Sequence, residues 1–375
     1  MFDAIILGLG GIGSATAAHL ARRGVRVLGL EQFSFGHDRG SSHGQTRIIR
    51  TAYYEHPDYI PLVERSFKLW RELEQQCGRT LLLPSDCVTI GPADGELIAG
   101  LRLAKTRLPA GAVTTLDATQ LRECYGFAVP GHFVGELERE AGILFVEECV
   151  RAHLEQARMH GATFHDNEPV LKWESDGNTV NIHTATATYT AKKLVITAGP
   201  WSTHLLGNLG VPLTVMRQVM TWFAPNVPMT RDAFPIFLLD SPEGAFYGLP
   251  AIDARGVKVA RHYGAPELNS PDEVYRETTC KDETPVRQFL ETYLPGKAGA
   301  CTAMQPCIYT LTPDRHFVID VHPHFDNVSI ACGFSGHGFK FAAVVGEILA
   351  DLAMTGVTRL PIEMFRANRF AGSSR

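Results

Sequence analysis

The sequence predicts an α/β fold built on two unlike sheets, and three observations carry that prediction. A mostly apolar run, Phe2 to Leu7, meets a glycine cluster and then an Ala-rich segment, Ala15 to Arg23, that Gly24 stops, which is the order strand, glycine turn, helix. The apolar run Leu194 to Ala198 ends in Gly199, Pro200 and Trp201, as a central parallel strand does. Phe246 to Leu249 and Val257 to His262 read as antiparallel strands of a different sheet.

The elements follow in order. A second strand, Val25 to Leu30, closes in Glu31, so the first unit takes about thirty residues, the length a βαβ crossover needs. Between Tyr59 and Gln76, Ile60, Leu62, Val63, Phe67 and Trp70 recur at helical spacing, and Leu81 to Ile90 then reads as strand. Near the end, Val328 to Ala331 is a strand and Gly333 to Gly338 a second glycine loop. Ala342, Val345, Gly346, Leu349, Leu352 and Ala353 then keep one helical face until Gly356. The first sheet therefore draws on three separated stretches of chain.

A length of 375 residues with 45% hydrophobic composition suggests roughly two domains. With 35 Lys plus Arg against 40 Asp plus Glu the net charge is -5, which argues against nucleic acid and anionic lipid as partners. The eight cysteines form no CxxC pair and no cluster at zinc spacing, so neither a metal site nor a disulfide framework is expected, and reduced thiols in a cytoplasmic protein fit best. No signal peptide and no apolar run of membrane-spanning length is read from the chain. The tail Ser373, Ser374, Arg375 matches a peroxisomal address only in part.

Gly8, Gly10 and Gly13 form a GxGxxG with the required context, a strand before it, a helix after it and an acid, Glu31, at the end of the next strand. The glycines permit a tight turn, approach of backbone to a pyrophosphate, and close packing of helix on strand. Glu31 would accept from ribose hydroxyls, which argues against a 2'-phosphorylated nucleotide. This fingerprint does not separate NAD from FAD. The second loop, with Gly336, His337 and Gly338, opens another helix whose positive end could face an anionic ring edge. Lys258 and His262 lie four apart on one strand and so point to the same side.

The segments GFSGHGFKF at Gly333 to Phe341, SSHGQTRIIRTAY at Ser41 to Tyr53, PCIYTLTPDRHFVID at Pro306 to Asp320, and IGPADG at Ile90 to Gly95 resemble the monomeric sarcosine oxidase family, with N-methyltryptophan oxidase as a near relative. The resemblance runs over essentially the whole chain. It implies a glutathione-reductase-like FAD-binding Rossmann domain from 1 to 80, 144 to 210 and 307 to 375. A substrate domain with a largely antiparallel sheet would take 81 to 143 and 211 to 306. It implies FAD held covalently through Cys307, a substrate carboxylate gripped by Arg50 and Lys340, Lys258 assisting oxygen, and His262 near the substrate amine. His43 and Arg47 would line the flavin, Arg47 close to Lys258, while Tyr247, Tyr309 and Tyr53 would line the substrate cavity. Ser42 and Gln45, both expected beside the flavin, depart from the family pattern, where a histidine and an acid are common.

The implied activity is oxidation of the secondary amine of a small N-alkyl amino acid to an imine that water hydrolyses, with O2 reduced to hydrogen peroxide, by a cytoplasmic monomer without a metal. Three alternatives stand beside it. One is an oxidase of a cyclic imino acid such as pipecolate or proline. Another is a dehydrogenase that passes electrons to a quinone or carrier protein, against which Lys258 argues. The third is a nucleotide-binding protein without turnover.

Overall fold

The structure is a computed structural model that describes residues 1–207 and 209–371. Its first sheet has eight strands. Val318–His322, Phe325–Cys332, Thr188–Ile196, Phe2–Leu7, Val27–Leu30 and Thr163–His165 lie side by side, and the hairpin Val170–Ser175, Val180–Thr184 extends from Thr188–Ile196. Four of the five pairings along this path are parallel, and only Val318–His322 joins it antiparallel. The strands at the centre are buried and apolar over Ala4–Leu7, Val27–Leu30 and Leu194–Ile196, where both faces are covered.

The glycine turn is followed by a helix that starts earlier than the Ala-rich run suggests, Gly11–Arg22, with Gly10 as its N-cap and no acid in its first turn. Its small residues let it lie close to neighbours: a Cβ on Gly346, in the helix Ala342–Thr355, would come within 2.6 Å of the Ala15 Cβ. The expected helix after Tyr59 is Ile60–Cys77, entered through a 3-10 turn, Pro57–Tyr59.

The second sheet has ten strands. Its path runs Glu267–Leu268, Thr214–Pro225, Val257–His262, Gly244–Leu249, Ile236–Ser241, Leu82–Pro92, Phe133–Phe145, Thr46–Ile49, with Ala298–Leu311 and Val113–Asp117 paired on the side. Every pairing is antiparallel except Ile236–Ser241 with Leu82–Pro92. This is the largely antiparallel sheet the family implies.

Two strands run through the expected segment limits, Phe133–Phe145 through 143/144 and Ala298–Leu311 through 306/307, and Thr46–Ile49, within the stretch 1 to 80, pairs with Phe133–Phe145 in the second sheet. A long strand can carry its chain from one half of the molecule to the other, so a limit drawn from segment order falls inside it.

Alternation in the second sheet decides what faces the first. Val257 and Val259 pack into a core with Phe223 and Phe289, so Lys258 and His262 are turned to the opposite side. Among the described residues no helix is long and apolar enough to cross a membrane, and no group of three or more His, Cys, Asp or Glu could hold a metal ion. The eight cysteines are free thiols. The tail Ser373 to Arg375 lies outside the described residues.

Candidate active site

A continuous cavity of about 330 Å3 runs from the first glycine turn to the second glycine loop, between the two sheets. At one end Gly8 has φ +85°, which an L side chain rarely adopts, and a Cβ on Gly13 would lie 1.8 Å from the Gly8 carbonyl oxygen. Glu31 is buried. Its Oε2 accepts from the Leu9 amide at 2.9 Å and its Oε1 from the Phe33 amide at 3.2 Å, while His37 Nε2 stands 3.3 Å away. His37 Nδ1 accepts from the Arg39 amide, so Nε2 carries the proton on the side facing Glu31. Ser42 borders this end and its Oγ accepts from the Gly11 amide at 2.9 Å.

Midway, the strand Ala298–Leu311 brings Cys307 and Tyr309 to the cavity wall. Burial opposes a Cys307 thiolate, but His43 beside it and the charges of Arg47 and Lys258 outweigh burial and bring the thiol down to about 6. Arg47 Nη2 reaches Cys307 Sγ at 3.5 Å and the Ser41 carbonyl at 2.9 Å. Arg47 lies in the strand Thr46–Ile49. Lys258 is 2% exposed and its Nζ donates to the carbonyls of Gly44 and Thr46, both at 2.8 Å. Burial, then the like charge of Arg47, pushes its pKa well down. The Trp222 ring, its cross-strand partner, has its centroid 5.4 Å from Nζ.

At the far end stand Arg50, Glu55, Tyr54, His262, Tyr247 and Lys340. Arg50, 2% exposed, donates Nη2 to Glu55 Oε2 at 2.9 Å and Nη1 to the Ala52 carbonyl, between the rings of Tyr53 and Tyr54. Burial disfavours its charge, yet Glu55 holds its pKa above the ordinary value. The loop that carries Arg50 is tied down by Glu138, whose carboxylate accepts from the amides of Thr51 and Ala52. Lys340 sits in the 3-10 turn Phe339–Phe341 that leads into the last helix. Burial, opposed by Glu55 and aided by Arg50, lowers it to about 7. His262 Nδ1 is 3.2 Å from the Tyr309 hydroxyl, and burial drives its pKa down to about 3, so the ring is neutral.

The sequence-selected residues thus converge, with three corrections. Tyr53 is fully buried behind Lys340 and does not border the cavity, whereas Tyr54 does. The loop has no periodicity to decide which of two adjacent tyrosines turns inward. Gln45 points away from the cavity, Nε2 to Asp253 Oδ2 at 2.7 Å, because a φ of 71° turns its side chain outward. His43 and Lys258 stand one layer behind the lining, next to Cys307 and Gly44. Tyr54, Glu55, His37 and Glu138 were not singled out from the sequence. An acid five residues beyond Arg50 was the one available signal, for Glu55.

Known proteins can now be set beside this geometry. A model of the FAD dependent oxidoreductase family matches residues 3–352. The chain belongs to the FAD-dependent oxidoreductase family. Within it, the chain is 42% identical to monomeric sarcosine oxidase of Streptomyces avermitilis, over 99% of this chain and 98% of that one. It is 35% identical to N-methyl-L-tryptophan oxidase of Salmonella agona, over 99% of both. Among solved structures it superimposes on NikD, an unusual amino acid oxidase essential for nikkomycin biosynthesis, with TM-score 0.86 at 25% identity and 97% coverage of both chains. L-proline dehydrogenase from P. horikoshii shares the fold, with TM-score 0.84 at 20% identity, over 100% of this chain and 98% of that one.

The residues present fit FAD. The cradle at Gly8 and Gly13 has no room for a Cβ, Glu31 offers a buried carboxylate beside it, and the buried His43 Nδ1 and Trp222 Nε1 have no partner among the described protein groups. The family assignment and these features place the protein among FAD-dependent oxidoreductases.

Proposed function

We propose that this flavoenzyme oxidises the secondary amine of a small N-alkyl amino acid, with O2 as electron acceptor and an imine that hydrolyses to an amino acid and an aldehyde. The carrying observation is the pair Arg50 and Lys340, both buried and both lining the cavity, with neutral His262 on the same cavity wall. The names of the relatives, sarcosine oxidase and N-methyl-L-tryptophan oxidase, support the same substrate class.

The roles divide by chemistry. FAD, when bound, supplies the two-electron acceptor and returns those electrons to oxygen. Arg50, with its planar fork, and Lys340, as a point charge, bind the carboxylate and so fix where the nitrogen sits. Glu55 holds Arg50 until that carboxylate arrives. His262 is uncharged and can accept a hydrogen bond from the amine without adding positive charge beside it. Tyr309, hydrogen-bonded to His262, and Tyr247 wall the cavity. Lys258, whose Nζ donates to two carbonyls, offers a positioned N–H group for the anionic character that develops as oxygen is reduced. Cys307, with a depressed pKa, is the thiolate suited to the covalent tether. The half built on the eight-stranded sheet is assigned to the cofactor and the ten-stranded sheet to the substrate.

The test is a peroxide-coupled screen of N-methyl amino acids and cyclic imino acids under air. Peroxide from an N-methyl amino acid is the expected outcome. Substrate oxidation with an artificial dye but almost no peroxide would make the protein a dehydrogenase, and turnover of pipecolate or proline alone would move the substrate class to cyclic imino acids.

A further inference from the structure

The hydrogen-bond polarity behind Lys340 is fixed by its chemistry. His337 Nε2 lies 3.0 Å from the Arg315 carbonyl, which can only accept, so Nε2 carries the ring proton. Burial pushes this imidazole down to about 4, so it is neutral and Nδ1 is an acceptor. The Tyr53 hydroxyl stands 2.5 Å from Nδ1 and must donate to it. The lone pairs of the Tyr53 oxygen are then left for the Lys340 Nζ, 3.5 Å away. A second proton of that ammonium goes to the His337 carbonyl at 2.8 Å. The third is free for the cavity that Lys340 borders.

The geometry points to Tyr53 and His337 as positioning residues that hold the Lys340 ammonium, with one N–H aimed into the cavity, for the carboxylate of the substrate. The chain Arg315 carbonyl, His337, Tyr53, Lys340 is one-directional, since reversing any link would place two donors or two acceptors face to face. Packing keeps it so. Tyr53 is fully buried between Tyr59, Phe341 and His337, with ring centroids 4.7, 5.2 and 5.9 Å away. An ammonium buried this deeply loses its charge unless acceptors face it. The charged and titratable groups around Lys340 are Arg50 and Glu55 from the loop, Arg47 and Cys87 from two strands of the second sheet, and His262 and His337. Of these, only Glu55 is an anion to support it at neutral pH, and Glu55 is bonded to Arg50. The neutral relay therefore supplies what a counter-charge would. The inference rests on the carboxylate-binding role of Arg50 and Lys340.

The test is calorimetric titration of the flavin-loaded protein with propionate, a carboxylate without an amine, from about pH 6 to about pH 9. In the wild type, affinity should fall as rising pH removes the Lys340 proton. Tyr53→Phe removes the acceptor, and affinity should drop about three- to tenfold, with the alkaline loss beginning at lower pH. His337→Phe frees the Tyr53 hydroxyl to turn its proton toward Lys340 and should produce a loss of the same size. The double variant should be no weaker than either single one, because both break one chain. Unchanged affinity and pH dependence in Tyr53→Phe, or two losses that add, would overturn the proposal. Should Tyr53→Phe fail to fold, the alkaline limb of His337→Phe decides alone. If Arg50→Met leaves wild-type propionate binding intact, the carboxylate site itself is elsewhere and both readings fall.

Discussion

Replacing Gly13 by alanine is the sharpest test of the dinucleotide cradle. The added Cβ would meet the Gly8 carbonyl oxygen at 1.8 Å and the Thr197 Oγ1 at 2.6 Å. An ordinary contact needs about 3.4 Å, so the helix Gly11–Arg22 must lift from the strand by roughly 1.5 Å. It cannot do so freely. Gly8 is anchored through its amide to Leu30 and through its carbonyl to Thr197 Oγ1, and the helix's other face lies against Gly346. Overpacking against backbone on both sides costs about 3 kcal/mol, at the upper end of the usual range. For a chain of 375 residues, with an unfolding entropy of about 2.1 cal/mol/K per residue, that corresponds to a melting temperature lower by roughly 4 °C. Gly10→Ala provides the contrast: its Cβ would meet only Ser42 Oγ, at 3.3 Å, and that hydroxyl can rotate. Thermal melts and the ratio of flavin to protein absorbance read both effects. A Gly13→Ala protein that melts within a degree or so of wild type and keeps a full complement of flavin would refute the argument.

Three further outcomes are expected. Cys307→Ala should release flavin into the supernatant on acid precipitation, while the wild type keeps it in the pellet; flavin retained by the variant would place the tether on another residue. Lys258→Met should slow reoxidation by oxygen by at least about tenfold, the size of a lost charge stabilisation of a little over 1 kcal/mol, with propionate affinity kept; unchanged oxygen reactivity would end that assignment. His19 and His153 are buried, and burial drives both imidazoles down to about 3. Between that value and about 6.5 the unfolded chain binds protons that the folded one refuses, so stability should rise with pH across this window and level off above it. His153→Phe, which also removes an unpartnered Nδ1, should flatten the pH dependence of the melting temperature, and a slope equal to wild type would disprove the linkage.

What the sequence made legible was local. The GxGxxG and Glu31 were readable because steric need for glycine and the reach of a strand-end acid are set within one βαβ unit, and alternation put Lys258 and His262 on one side because strand geometry has a fixed period of two. Tyr53 and Tyr54 could not be told apart, since Thr51 to His56 is irregular and its facing is set by Glu138, distant in sequence and bonded to the amides of Thr51 and Ala52. Cys307 had no signal of its own among eight cysteines. Its distinction is a depressed pKa that arises from His43, Arg47 and Lys258, three residues on other segments, so only the resemblance singled it out. The strands Phe133–Phe145 and Ala298–Leu311 run through the expected segment limits, and Thr46–Ile49 joins the second sheet, for a related reason: pairing partners, not composition, decide which sheet a strand joins.

Arg47, Arg50 and Lys340 border one cavity with Lys258 just behind its lining, and burying a cation without compensation costs several kcal/mol. The wall offers each a different answer. Arg50 has the carboxylate of Glu55, Lys258 has two backbone carbonyls at 2.8 Å, and Lys340 has a carbonyl and a tyrosine oxygen. Arg47 has carbonyls and the sulfur of Cys307, which in turn is drawn toward the thiolate by these same cations. Two of the four answers are neutral dipoles, which orient a cation without cancelling its charge. The cavity therefore keeps a positive field that an acidic ligand and an electron-rich ring edge can share. A wall of paired salt bridges would have neutralised that field before either arrived, and an apolar wall could not have held the carboxylate in register with the cofactor.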